Sequence, residues 1–143
     1  MAFPVIQNCL ICEEARPEVG RKLSLLGFYG ITPNVTILVR DFDEPIQRLT
    51  FVFLAGVGTG KHRLTFAICD GRKEPVFTSQ TDQYTDIDLS EFRGSDLHLV
   101  FSLTGASFVR PGEYTVNLSV DGEIEFRGRF ELRQGKQKDF GSI

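Results

Sequence analysis

Apolar and polar residues alternate along most of the chain, and turn-forming residues separate the alternating stretches. The clearest stretch runs from Tyr114 to Val120, where every second residue is large and apolar. Because successive side chains of a strand point to opposite faces, this period of two predicts a strand with one buried face. Asp121-Gly122 then favours a tight turn, and alternation resumes from Ile124 to Leu132. We therefore predict a β-hairpin, with Ile124 on its inward face.

The same alternation predicts further strands upstream and no helix. Phe51-Val52-Phe53-Leu54 would place apolar side chains on both faces of a strand, which is typical of an interior strand. With eight or nine short strands, the economical architecture is a two-sheet antiparallel β-sandwich, because each half-buried sheet needs a second sheet to cover it. The upstream candidates are Val5 to Cys12, Lys22 to Tyr29, Val35 to Val39, Leu49 to Leu54, Leu64 to Ile68 and Leu97 to Leu103.

The chain of 143 residues has the length of one ordinary domain. We predict a single sandwich domain over residues 1–133 and a flexible tail over residues 134–143. The polar stretch from Thr78 to Ser95, with a brief apolar alternation at Ile87 and Leu89, predicts a long crossing between the sheets.

Composition excludes several functional classes. The 41% hydrophobic and 24% charged residues are typical of a globular protein rather than a disordered one. A net charge of −3 argues against nucleic-acid binding, and no apolar run is long enough to span a membrane. An odd number of cysteines and an amino-terminal segment unlike a signal peptide predict a cytoplasmic protein.

The stretch from Ala55 to His62 resembles a phosphate-binding loop in its glycines and lysine. However, His62 stands where a Ser or Thr should hold magnesium, and residues 63–70 alternate as a strand instead of starting a helix. We therefore interpret the stretch as a Gly-rich loop between two strands.

Cys9 and Cys12 form an isolated Cys-x-x-Cys pair. A zinc site normally needs a second pair, and residues three apart on a strand point to opposite faces. Cys69 with His62 or His98 could complete a tetrahedral site only with ligands from unrelated strands. We interpret the cysteines as small buried apolar residues and predict no metal site and no cofactor.

Nucleophilic catalysis finds little support in the residue pattern. Both histidines, His62 and His98, neighbour inward-facing leucines on their strands, so we predict that they lie on the surface or on the second face. Neither has a visible partner that would mark a catalytic base, and no Ser or Cys occupies a strand-to-helix elbow. We predict that the protein is not an enzyme and has no catalytic residues.

Acidic residues follow two strands whose ends should lie at the same end of the sandwich. Asp41, Asp43 and Glu44 follow one strand, and Asp70 and Glu74 follow the strand two places later. Converging carboxylates would make an oxygen-rich calcium site. The alternative is that Asp41 and Asp70 cap turns through hydrogen bonds to the backbone. Another acidic string, with Asp82, Asp86, Asp88 and Glu91, is interpreted as solvated surface.

Three stretches together resemble a family of small bacterial proteins of unknown function with an Ig-like β-sandwich fold. They are CEEARPEVGRKLSLLGFYG from Cys12, TGKHRLTFAICDG from Thr59 and PGEYTVNLSVDG from Pro111. The resemblance implies the fold and covers most of the chain, but it implies no activity, cofactor or catalytic residue. Gly56 to Gly60 and Gln80 to Ser95 do not map onto the family's pattern.

The leading hypothesis is a non-enzymatic β-sandwich that binds another protein through loops, such as residues 80–95, or through an exposed strand edge. Pairing of edge strands could also give a homo-oligomer. The alternative hypothesis is a calcium- or small-ligand-responsive module that uses Asp41, Asp43 and Asp70.

Overall fold

The computed structural model describes residues 5–20, 22–56, 58–72, 75–78, 85–90 and 97–140. Over these ranges the chain forms ten β-strands and a short 3-10 helix, η1. The strands are β1 (Ile6–Glu18), β2 (Lys22–Ile31), β3 (Thr36–Val39), β4 (Ile46–Ala55), β5 (Lys61–Cys69), β6 (Pro75–Thr78), β7 (Thr85–Asp88), β8 (Leu97–Ala106), β9 (Gly112–Val120) and β10 (Glu123–Gln134), and η1 is Gln137–Phe140.

The described strands form two sheets. The four-stranded sheet has the order β2-β1-β4-β8, and the six-stranded sheet has the order β3-β10-β9-β5, with β6 and β7 both paired to the outer edge of β5. Because β6 and β7 lie against different halves of β5, they share one strand position. The described part of the sandwich therefore has nine strand positions, and the predicted all-β class and two-sheet architecture are confirmed. The prediction that all strands pair antiparallel is wrong for β3, which lies parallel to β10. Strand β4 is interior, as its apolar residues at both parities predict.

The hairpin of β9 and β10 confirms the turn prediction. Asp121 and Gly122 have φ angles of 52° and 90°, the left-handed values that a type I′ turn requires. Past the turn, a shift of register between Ile124 and Phe126 changes which residues face inward. The predicted inward position of Ile124 is therefore wrong: its side chain is exposed, and Phe126 packs against the core instead.

Aromatic rings from both sheets meet in the core between them. Phe66 on β5 stacks on Phe101 of β8 with ring centroids 4.9 Å apart, and its centroid lies 5.1 Å from that of Phe51 on β4. Phe53, also on β4, packs edge-on against Phe66 and Phe101. Such geometries add to the stabilisation from area burial, so these rings hold the two sheets together.

A tyrosine anchors the corner between β8 and β9. Tyr114, near the start of β9, is buried and donates its hydroxyl hydrogen to the carbonyl oxygen of Arg110 at 2.7 Å. Its ring stacks with that of Phe130 on β10 and meets Phe108 edge-on. The hydrogen bond satisfies a loop carbonyl, and the ring contacts tie the loop to the core.

The segment from Thr78 to Ser95, predicted as a long crossing, contains a strand where Ile87 and Leu89 alternate. Residues 85–88 form β7 on the edge of β5, and Leu89 is buried in the core. Two alternating apolar residues in a polar context are too few to distinguish a strand of four residues from a loop. The chain passes from the six-stranded sheet to the four-stranded one between β7 and β8, and residues 79–84 and 91–96 lie outside the described part.

Residues 134–140, the described part of the predicted tail, lie beside β3. The Gly135 amide donates to the Val39 carbonyl at 2.9 Å, and the Arg40 guanidinium lies 4.7 Å from the centroid of the Phe140 ring. The division at residue 133 and the flexibility of the tail stay predictions.

Candidate functional site

Four apolar side chains form a continuous row across the outer face of the four-stranded sheet. Leu10 on β1 pairs with Ile31 on β2 and with Val52 on β4, and Val52 pairs with Val100 on β8. Directly opposed residues project from the same face of a sheet. Since the neighbouring Phe51 belongs to the core, this row lies on the side that faces away from the second sheet. The row spans three strand spacings, about 14 Å.

Neighbouring positions widen this row into a larger apolar surface. Phe28, Ile31 and Val100 are 51%, 45% and 42% exposed. Val52, at the centre, is only 1% exposed although it belongs to the outward set of β4. We call the whole surface the outer apolar face; its members are Leu10, Leu26, Phe28, Ile31, Val52, Leu54 and Val100.

The outer face of the six-stranded sheet is different in character. Its central row contains Ala67 on β5, Asn117 on β9 and Arg127 on β10. The Arg127 guanidinium donates to the Asn117 side-chain oxygen at 3.3 Å. A polar outer row is what an antiparallel sheet in contact with water normally carries. The apolar outer face is therefore a property of one sheet and not of the whole surface.

Polar groups border the outer apolar face. The Arg48 guanidinium donates to the Glu14 carboxylate at 3.0 Å, and the Thr50 and Ser102 hydroxyl oxygens lie 3.1 Å apart. His98, on the other border, is exposed, so its predicted surface position is confirmed. An apolar centre with a polar rim is the usual anatomy of a protein-protein interface.

The two neighbouring cysteines lie on opposite faces of β1, as their spacing predicts. Cys9 faces the core, whereas Cys12 pairs with Thr50 on the outward side, and both thiols are free and buried. Burial raises the pKa of each thiol. Among the described residues, no three side chains of His, Cys, Asp or Glu come close enough to hold a metal ion.

His62 is buried, so the predicted surface or second-face position is wrong. It follows the inward set of β5 with Leu64, and its side chain is 4% exposed. Its Nδ1 lies 2.8 Å from Oδ2 of Asp121, and its Nε2 lies 2.7 Å from the carbonyl oxygen of Thr59. The sequence pattern gives no sign of this burial, because both partners of His62 lie in loops and Asp121 is 59 residues away.

An open depression of about 410 Å³ lies over this histidine. Within it the Arg63 guanidinium donates to the Asp86 carboxylate at 3.2 Å, and the Asp88 carboxylate accepts the Ser90 amide hydrogen at 2.9 Å. Its carboxylates therefore already have partners within the protein. The lining residues are Lys61, His62, Arg63, Asp86, Ile87, Asp88 and Asp121.

Asp41 and Asp70 follow strands that end at the same end of the six-stranded sheet, and Glu74 lies outside the described residues. Strand β3 is parallel to β10, and both β10 and β5 pair antiparallel with β9, so β3 and β5 run in the same direction. These two strands are three strand spacings apart, about 14 Å. Calcium needs oxygen ligands at about 2.3–2.6 Å, so one ion cannot bridge the two strand ends. Oδ1 of Asp41 accepts the Asp43 amide hydrogen, and Oδ1 of Asp70 accepts the Arg72 amide hydrogen, both at 2.9 Å. The turn-capping alternative is confirmed for both residues.

The Gly-rich stretch leads into a strand, as predicted. Residues 61–69 form β5 directly after the loop, so no helix amino terminus is available there to bind a phosphate. Val57 lies outside the described residues. No helix among the described residues has the length and apolar character needed to cross a membrane.

Comparison with known proteins identifies a family without an assigned activity. The model of a family of unknown function, DUF6941, matches residues 7–133. No curated protein matches the sequence. Among solved structures, the chain is similar to "Pseudomonas fluorescens alkylpurine DNA glycosylase AlkC bound to DNA containing an abasic site analog", with 16% sequence identity and a TM-score of 0.40. The likeness covers 71% of this chain and 28% of that chain, and nothing of the glycosylase is carried over.

Proposed function

Since the chain belongs to DUF6941, a family of unknown function from which it inherits no activity, we propose from its own surface that it is a non-enzymatic module that binds another protein. The observation that supports this proposal is the outer apolar face of the four-stranded sheet. Its exposed members, Leu26, Phe28, Ile31 and Val100, lie on either side of the buried Val52, and exposed apolar patches with a polar rim mark interaction sites.

The partner that suits this surface presents a flat apolar patch of similar width with polar borders. Burial of Phe28, Ile31 and Val100 would remove three large side chains from water, at about 25 cal/mol per Å² of apolar area. The Glu14–Arg48 pair and the Thr50–Ser102 contact supply polar groups at the border. A partner therefore gains affinity from the apolar centre and orientation from the rim.

The face is a better binding surface than the free edge of β2. That edge has the left-handed residue Gly27, with φ of 63°, and its pairing with β1 shifts register at Ile11. Such irregularities bend an edge strand and oppose the addition of a further strand. We therefore assign binding, including any homo-oligomer, to the face rather than to the edge of β2.

The proposed fold type is an immunoglobulin-like sandwich. Two features support it: β5, β9 and β10 are neighbours in one sheet while β1, β4 and β8 are neighbours in the other, and Tyr114 bonds back to Arg110. Immunoglobulin-like domains divide their strands in this way and carry a tyrosine corner at the start of the equivalent strand.

The chemistry of the buried groups supports the non-enzymatic part of the proposal. Both ring nitrogens of His62 have fixed partners, so this side chain has no nitrogen free to act as a general base. The raised pKa of Cys9 and Cys12 keeps both thiols protonated and weakly nucleophilic. Free buried thiols also support the proposed cytoplasmic location.

The combined substitution Phe28→Ser and Val100→Ser is expected to reduce capture of the partner at least about tenfold, because it removes two apolar anchors from the face. To measure capture, equal amounts of the tagged wild-type or variant chain are incubated with a lysate of the cells that naturally produce it. The amount of each bound protein is then compared. The melting temperature should change little, because both side chains are about half exposed.

The matched control is Val109→Ser with Ile124→Ser, which removes two exposed apolar side chains outside the face. This variant should retain the partner at the wild-type level. Retention that is equal for all three proteins would overturn the proposal, and equal loss in both variants would show that the partner does not use this face.

A further inference from the structure

His62 lies between two hydrogen-bond acceptors that belong to different segments. On one side is the Asp121 carboxylate in the turn between β9 and β10; on the other is the Thr59 carbonyl in the Gly-rich loop. Asp121 also binds the start of β5: its Oδ1 accepts the Arg63 amide hydrogen at 2.9 Å, and its own amide donates to the Arg63 carbonyl at 2.8 Å. The His62 side chain, on β5, thus joins the Gly-rich loop to the turn between β9 and β10.

Only the imidazolium form satisfies both contacts. A carbonyl oxygen and an ionised carboxylate accept hydrogen bonds and do not donate them, whereas a neutral imidazole has a single N–H. Loss of one proton therefore leaves a ring nitrogen with its lone pair against an acceptor, in a place where the side chain is 4% exposed. An unsatisfied polar contact is costly when it is buried, so deprotonation must weaken one of the two links.

The charged residues around this histidine belong to three elements. Strand β5 contributes Lys61 and Arg63, β7 contributes Asp86 and Asp88, and the hairpin turn contributes Asp121. Lys61 and Arg63 project from the opposite face of β5 to the inward-pointing His62, and Arg63 is paired with Asp86. The Asp121 carboxylate is in direct contact with the ring and favours its positive form.

We propose that His62 is a pH-dependent clamp. While both ring nitrogens are protonated, His62 holds the Gly-rich loop to the β9–β10 hairpin. When the ring loses a proton, one of its two hydrogen bonds breaks and the segment bound by it is released. The clamp is also linked to β7. The amide of Leu89, directly after β7, donates to the carbonyl oxygen of Gly60 in the Gly-rich loop at 2.7 Å. Opening would change the depression that these segments line.

The hydrogen bond to Asp121 raises the pKa of His62; the Thr59 carbonyl acts in the same direction and burial opposes it. A raised folded pKa means that the contribution to stability is complete below about pH 6.5, the ordinary value, and is lost as the pH rises through the folded value. The pKa of Asp121 is lowered, chiefly by His62, so its contribution is present above about pH 4 and is lost as the pH falls through the lowered value.

The test is an NMR titration of both histidines in one protein, combined with amide exchange corrected for its intrinsic pH dependence. His62 should keep both ring nitrogens protonated at a pH above about 6.5, the ordinary midpoint of an imidazole. Above the His62 midpoint, the protection factors of the Arg63, Leu89 and Asp121 amides should fall at least about tenfold relative to amides in the middle of β9.

Two variants sharpen this experiment. Asp121→Asn keeps an acceptor for the Arg63 amide and tolerates a positive φ, but it removes the charge, so the His62 midpoint should fall. His98→Gln, the matched control, should leave the pH profile of amide protection unchanged. A His62 midpoint at or below about pH 6.5, or protection that stays constant across the midpoint, would overturn the proposal. Both of these outcomes are measured in the wild-type protein, so they test the proposal even if Asp121→Asn does not fold.

Discussion

Phe66→Ala is expected to lower the free energy of unfolding by about 4 kcal/mol, because it empties the centre of the aromatic core. The Phe66 side chain is fully buried, and its ring centroid lies 4.9 Å from that of Phe101, 5.1 Å from that of Phe51 and 6.1 Å from that of Phe53. The substitution removes apolar area and leaves a cavity among rings that pack too closely to fill it. It also loosens the contact between the sheets.

Chemical denaturation with guanidinium chloride at neutral pH measures this loss. The control is Phe28→Ala, which removes the same ring from the outer apolar face, where it is 51% exposed. It should cost less than about 1 kcal/mol. Similar losses for the two variants would contradict the assignment of Phe66 to the core and of Phe28 to the surface.

Tyr114→Ala is expected to lower the free energy of unfolding by about 3–4 kcal/mol, and Tyr114→Phe by about 1–2 kcal/mol. The larger substitution removes the ring that stacks on Phe130 at 5.7 Å and meets Phe108 at 5.2 Å. The smaller one removes only the hydroxyl group, which leaves the Arg110 carbonyl without its 2.7 Å partner.

The two Tyr114 variants separate ring packing from the hydrogen bond in the same denaturation measurement. Wild-type stability of Tyr114→Phe would show that the hydroxyl contact does not anchor the corner. Equal losses for Phe and Ala would instead assign the whole effect to the hydroxyl group. The proposed immunoglobulin-like corner requires the intermediate value for Phe.

Alternation predicts most of the fold because the sandwich buries one face of most strands. Strands β4, β5, β9 and the hairpin turn at Asp121 are found where the period of two and the turn residues place them. The pattern fails where a local feature overrides it. The register shift after Ile124 turns that side chain outward, and the alternation at Ile87 and Leu89 is too brief to distinguish β7 from a loop.

The candidate site was less predictable, because it depends on which residues become neighbours. The apolar residues of β4 at both parities are visible in the sequence, but the row of Leu10, Ile31, Val52 and Val100 exists only through the register of four strands. His62 is similar, since its carboxylate partner is distant in sequence. The alternation of strand directions predicts that the acidic loops leave the same end of the sandwich. It does not give the strand order, which places β10 and β9 between β3 and β5.

The most direct test of the proposed binding face is site-specific photo-crosslinking in the producing cells. A photoreactive phenylalanine analogue replaces Val100 in the outer apolar face or, as the control, Ile124 on the other sheet. We expect a discrete adduct at position 100 and none at position 124. The mass of the adduct distinguishes another protein from a second copy of this chain. No adduct at position 100, or equal adducts at both positions, would contradict the claim that this face binds a partner.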